Sequence, residues 1–208
     1  GGWVPGTSGT DVPAGTGIKI RPGSTIVLQV HYNSTEGTSE TDSTSLELML
    51  EDTVAKEAHQ MGWLNPQWLS GSMPIAAGDA NAKHSFSFSP VTALKLLNAT
   101  TASEVTVYGA GLHMHQLGKS GKLELTRENG DKECLLQIDD WDFNWQGDYS
   151  FGEPMVFRGG DQLAIECAWD NSPENQPTVD GTPLPPKNVN WGEGTADEMC
   201  LGTFYWTE

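Results

Sequence analysis

Glu104–His115 reads EVTVYGAGLHMH, and its β-branched, alternating character marks it as a strand. Side chains alternate along a strand, so Val105, Val107, Gly109, Gly111, His113 and His115 are expected on one side. Both histidines then point the same way, with Cα atoms roughly 6 to 7 Å apart, close enough for two rings to converge on one metal. Met114 falls on the opposite face and is a poor third ligand. A better one is Met199, directly before Cys200. Two imidazoles plus a thioether suit copper, because soft sulfur selects Cu(I) and imidazole accepts both copper oxidation states.

Taken alone, His-X-His on a strand is more often a pair of hydrogen-bonded, half-buried side chains than a metal site, and a lone methionine is usually core filling. The neighbourhood of Met199 argues further. Cys167 lies upstream in the strand-like DQLAIECAW of residues 161–169. A bridge from Cys167 to Cys200 would hold the thioether against a strand and contribute about 3 to 4 kcal/mol through loop closure. Three cysteines are an odd count, so one bridge leaves one over. Cys134, in KECLLQID, is the candidate spare and reads as a buried strand thiol.

Outward from this stretch the chain continues in strands. Residues 24–32 (STIVLQVHY) are β-branched and alternating, bounded by Pro22-Gly23 and Asn33-Ser34. Further strands are expected at 44–51, 55–61, 83–89, 122–127, 133–138, 153–157, 161–169 and 201–206, with a short extended piece at 17–21. Only 91–97 reads as helix. Strand runs punctuated by Gly, Asn, Asp and Pro, with no βαβ alternation, predict an all-β fold, an antiparallel jelly-roll-like β-sandwich. The Pro-rich segment 172–190 would be a long loop able to shape the mouth of a site.

The 208 residues carry 28 acidic and 11 basic side chains. That balance argues against nucleic acid or an anionic membrane as a partner. No stretch is long and apolar enough to cross a bilayer. A disulfide would place the chain in a secreted, periplasmic or otherwise extracytoplasmic setting; since GGWVPG at the start lacks the regions of a signal peptide, this expectation implies a removed signal or a longer precursor. Among the eight tryptophans, Trp63, Trp68, Trp141, Trp145, Trp169, Trp191 and Trp206 are read as core or loop anchors. Residues 139–146 (DDWDFNWQ) lack the spacing of a calcium loop, and His59 and His84 default to structural roles. There is no Ser-His-Asp elbow, phosphate loop or Cys-X-X-Cys motif.

Four pieces, LQVHYN at 28–33, LHMHQLGK at 112–119, DQLAIECAW at 161–169 and DEMC at 197–200, in this order and spacing, resemble the type II, ascorbate-dependent copper monooxygenases, which include peptidylglycine α-hydroxylating monooxygenase and dopamine β-monooxygenase. The resemblance implies that His113, His115 and Met199 hold the oxygen-binding copper and that Cys167 pairs with Cys200. It implies hydroxylation of an sp³ C–H bond of a small-molecule substrate with O2, and ascorbate as external reductant. His31 corresponds to one of three histidines that hold a second, electron-transfer copper in that family. The adjacent histidine pair that completes the second site is absent here. The chain is therefore expected to be a fragment: residues 1–34 a C-terminal remnant of an N-terminal copper domain, its missing partner, and residues 35–208 the C-terminal copper-binding β-sandwich. Such a fragment alone is expected to be inactive. Where the peptide-hydroxylating branch anchors a substrate carboxylate, this chain has Gly111, Leu201 and Thr203, which disfavours peptidylglycine and leaves amines and uncharged molecules. The competing readings are a non-catalytic copper-binding module for storage, sensing or delivery, and a sugar-binding sandwich suggested by the tryptophans alone.

Overall fold

The structure is a computed structural model that describes residues 12–30, 32, 41–179 and 181–208. Its elements in chain order are β1 (Thr16–Ile18), β2 (Lys56–Trp63), β3 (Ala82–Phe88), α1 (Pro90–Leu96), β4 (Glu104–His113), β5 (Gly118–Thr126), β6 (Lys132–Ile138), β7 (Asp148–Arg158), β8 (Gln162–Trp169), the small hairpin β9 (Thr178–Val179) and β10 (Thr182–Pro183), and β11 (Leu201–Thr207). Five strands form one sheet in the order β1-β2-β11-β4-β7, and four form a second in the order β3-β8-β5-β6. Within both sheets every pairing is antiparallel except β1 with β2. The expected all-β sandwich is what the chain builds.

The core lies between the sheets. Trp63, Val105, Val107, Leu112, Phe157, Phe204 and Trp206 come from the first sheet, and Leu123, Leu125, Leu163, Ile165 and Trp169 from the second, all in one buried cluster. Helix α1 begins where Ser89 accepts from the Thr92 backbone N–H and Pro90 occupies the first turn, where its missing N–H costs nothing.

Strand β4 departs from simple alternation. Tyr108 is an extra residue against β11, since Val107 pairs with Trp206 and Gly109 with the adjacent Tyr205. Against β7 the register jumps from Met155 to Ser150 at the same place. Val105 and Val107 face the core, and after this β-bulge it is Ala110, Leu112 and Met114 that do so. The expected single face of odd residues is thus corrected: an inserted residue inverts the side taken by everything after it. Met114 is fully buried, and Gly121 on β5 lies beside it at the place where a Cβ would come 3.0 Å from Leu112 Cδ1.

Residues 24–30 and 44–51 take no place in either sheet. Their apolar side chains are exposed, Val27 at 83%. Strand propensity describes a fit to a half-buried pleated surface, and without a neighbouring strand it builds no ladder. Conversely, β7 starts five residues before its expected beginning, because Asp148, Tyr149 and Ser150 pair with Gly111, Ala110 and Gly109. β5 likewise starts at Gly118, against β8.

Candidate metal centre

The bulge turns His113 to the outer face of the five-stranded sheet, and the chain leaves β4 carrying His115 to the same place. Their ring centroids lie 5.1 Å apart with planes at 76°. Each ring is oriented through Nδ1. The Gln146 amide donates from Nε2 to the Phe143 carbonyl at 2.8 Å, which turns its Oε1 toward His113 Nδ1 at 2.7 Å. An amide oxygen only accepts, so Nδ1 of His113 carries the hydrogen. Nδ1 of His115 lies 2.9 Å from the Asp197 carbonyl and must likewise donate. Both imidazoles are therefore Nδ1–H tautomers, and a metal would be taken through Nε2. Burial pushes the pKa of His113 down, with the neighbouring His115 adding to this and the Gln146 bond opposing it. The neutral, metal-ready form is favoured.

The second wall of the site is the 197–200 segment. Cys200 is bridged to Cys167 on β8 with Cα atoms 5.9 Å apart, so the pairing holds. Leu201 is the strand partner of His113, which puts Met199 two residues from that contact, half-buried between Glu198 and Cys200. Glu198 is completely buried. It accepts hydrogen bonds from the backbone N–H of His115 (2.9 Å) and Leu117 (2.7 Å) and from the Trp169 indole (2.9 Å). Burial pushes its pKa up to about 7, against the opposing effect of those bonds.

Among the described residues no three His, Cys, Asp or Glu side chains come together as a metal cluster. The thioether of Met199 is the donor proposed beside the two imidazoles, a set that suits a soft, low-charge cation such as Cu(I). Of the other expected ligands, His31 lies outside the described residues.

Loop 139–147 supplies what sequence reading passed over. Besides Gln146, its Trp141 donates to the His115 carbonyl at 3.1 Å and its Phe143 packs edge-on to the His115 ring at 6.2 Å. Gly118 admits the indole, since a Cβ there would lie 2.5 Å from Trp141 Cδ1. The run of aromatics and amides at 139–146 was the available signal, but nothing in it says which histidine it will meet. Trp145 is 70% exposed rather than an anchor. Cys134 is free and exposed, not the buried thiol expected, because β6 is the edge of its sheet. His59 stacks on Trp206 at 4.6 Å, and Nε2 of His84 bonds the Pro74 carbonyl at 2.9 Å beside Trp68 and Trp169, so both have the structural roles expected.

Beside His113 the register aligns Gly111 with Thr203 on β11 and with Asp148 on β7. Thr203 Oγ1 donates to Asp148 Oδ1 at 3.1 Å. That carboxylate oxygen would lie 2.4 Å from a Cβ at Gly111, so only a glycine leaves it this place.

A family model described as copper type II ascorbate-dependent monooxygenase, C-terminal domain, matches residues 81–208. Over 99% of its length the chain is 23% identical to DBH-like monooxygenase protein 2 of Mus musculus, covering 32% of that protein. Over 96% of its length it is 25% identical to DBH-like monooxygenase protein 1 of Homo sapiens, covering 31% of it. The chain thus spans about a third of the length of these curated relatives.

Proposed function

Because this chain belongs to the copper type II ascorbate-dependent monooxygenase family, we propose that it is the domain of a longer enzyme in which His113, His115 and Met199 hold a copper ion. When bound, copper would supply the activation of O2 for hydroxylating an sp³ C–H bond, with ascorbate as external reductant. Of the chain's own residues, Gln146 and Asp197 fix the imidazole tautomers, and burial favours the neutral form of His113. The Cys167–Cys200 bridge restrains the backbone next to Met199.

The observation that carries this reading is the pair of imidazoles, Nδ1 hydrogens pinned, with rings 5.1 Å apart. Residues 1–34 would be the tail of a preceding copper domain, in which His31 serves the second copper, with its β1 lending an edge strand to the sandwich of residues 35–208. On the outer face, Asp148 stands where an incoming carboxylate would have to settle, and like charges repel. The reading therefore favours an amine or an uncharged molecule over a peptide carboxylate. The disulfide supports an extracytoplasmic, oxidising location, and no described helix is long and apolar enough to cross a membrane.

The test is anaerobic Cu(I) titration with X-ray absorption at the copper edge, on wild type and Met199→Ala. One copper for this domain, with a sulfur scatterer that the variant loses, supports the site. Copper uptake indifferent to Met199 would refute the ligand set. Copper uptake without hydroxylation by the full-length protein would favour the copper-binding module over the monooxygenase.

A further inference from the structure

Between the two ligand-bearing segments lies a carboxylate that the copper assignment does not use. Glu198 is sealed from solvent, and none of the ion pairs among the described residues involves it. A carboxylate taken out of water without a counter-charge is costly. Three N–H groups offset part of that cost: the main chain of His115 and Leu117, and the indole of Trp169. One of the three belongs to a proposed ligand itself, and Glu198 is the chain neighbour of another, Met199. The carboxylate therefore ties the backbone of His115, just past β4, to the residue that precedes Met199, just before β11.

The cystine cannot do this alone. It fixes Cys200 against β8, and the main chain of Glu198 is held separately, donating to the Asn190 carbonyl at 3.1 Å and accepting from the Gly192 N–H at 3.2 Å; neither contact reaches the main chain of His115. Trp169 lies two residues beyond Cys167 on the same strand, so its bond to Glu198 ties the carboxylate to the element that anchors the bridge. The charge has a second consequence. Two neutral imidazoles and a thioether leave a bound cation with its whole charge, and a carboxylate held on the main chain of one ligand and next in the chain to another lies where it would balance that charge.

We propose that Glu198 is a positioning residue for the metal, holding the main chains of His115 and Met199 in one arrangement and supplying the negative charge that the ligands lack. This role rests on the copper assignment above. A fixed negative charge stabilises the more highly charged oxidation state more strongly, so it lowers the reduction potential of the site.

The experiment uses the full-length enzyme, wild type and Glu198→Gln, and measures Cu(I) affinity by competition, the copper X-ray absorption edge and the reduction potential of this site. Gln keeps the volume of the side chain and removes its charge. The expected result is a Cu(I) affinity at least ten-fold weaker, a diminished sulfur shell and a potential shifted upward. A variant that only melts earlier, with affinity, sulfur shell and potential of wild type, would overturn the role and leave it a structural residue. Should Glu198→Gln not fold, Trp169→Phe removes one donor from the carboxylate while leaving the His115 and Leu117 amides on it intact. It is expected to weaken the same sulfur shell, and a copper edge identical to wild type would overturn the proposal. Wild type that takes up no copper defeats the copper assignment and this role together, whereas normal wild-type uptake with an unaltered variant defeats this role alone.

Discussion

Gln146 Oε1 lies 2.7 Å from His113 Nδ1 while the other end of the same amide is held by the Phe143 carbonyl. The glutamine cannot flip without losing one bond and opposing two donors in the other. The ring it holds is thereby restricted to one tautomer.

Replacing Gln146 with Ala should therefore release the His113 ring and allow the hydrogen to move to Nε2. Loss of such an outer partner typically weakens metal binding by about 10- to 100-fold. Competition titration with a Cu(I) chelator would measure it, and an affinity within two-fold of wild type would count against the tautomer argument.

Gly109 follows the bulge, and a Cβ there would lie 2.7 Å from the Tyr149 carbonyl oxygen. Backbone cannot move aside as a side-chain end can. Gly109→Ala should cost about 1 to 3 kcal/mol of stability, seen as a lower urea midpoint, and should perturb copper binding as well because β4 carries His113.

The Cys167–Cys200 bridge closes a 33-residue separation. Replacing both cysteines by Ser should cost about 3 to 4 kcal/mol and weaken the sulfur signal at the copper edge. A double variant with wild-type stability would show that the segment is held without its bridge.

Burial holds the Glu198 pKa near 7, above its ordinary 4.5. Between those values the folded copper-free protein retains a proton that the unfolded chain has lost. Stability therefore declines as pH rises from about 4.5 to about 7, by about 3 kcal/mol over the whole window. His113 acts with the opposite sign: its pKa is lowered, so its contribution falls as pH drops below the ordinary histidine value. Urea unfolding at about pH 5 and about pH 7 should show a flatter or reversed slope in Glu198→Gln. Equal slopes in variant and wild type would remove Glu198 as the source.

Asp148 is exposed, so its charge acts through screened water and its effect is modest. In the full-length enzyme, Asp148→Asn should raise kcat/KM for a carboxylate-bearing substrate about three- to ten-fold relative to its uncharged amide. A ratio unchanged by the substitution, at low salt, would take Asp148 out of substrate selection.

The convergence of the histidine pair and the cystine were legible because each is carried by a short run of sequence with a definite chemistry, whereas the ligand role of Met199 is a proposal. The supports were not. Gln146 reaches His113 from 33 residues away and Glu198 reaches His115 from 83, and such partners are chosen by tertiary packing. The bulge did leave a trace: apolar residues stand at 105 and 107, then at 110, 112 and 114, a change of phase that strict alternation reads past. Residues 24–30 and 44–51 show the converse, strong local propensity without a sheet to receive it.

A change of phase is also a different kind of heritable unit from a side chain. Any replacement of Tyr108 leaves the count of residues intact, and with it the side on which His113 emerges. Deleting that one position would turn Leu112 and Met114 to solvent and carry both imidazoles into the hydrocarbon interior. The side of the sandwich on which His113 emerges is thus set by the number of residues in β4, not by which residue stands at 108, and is gained or lost by an insertion or deletion five residues from the first ligand.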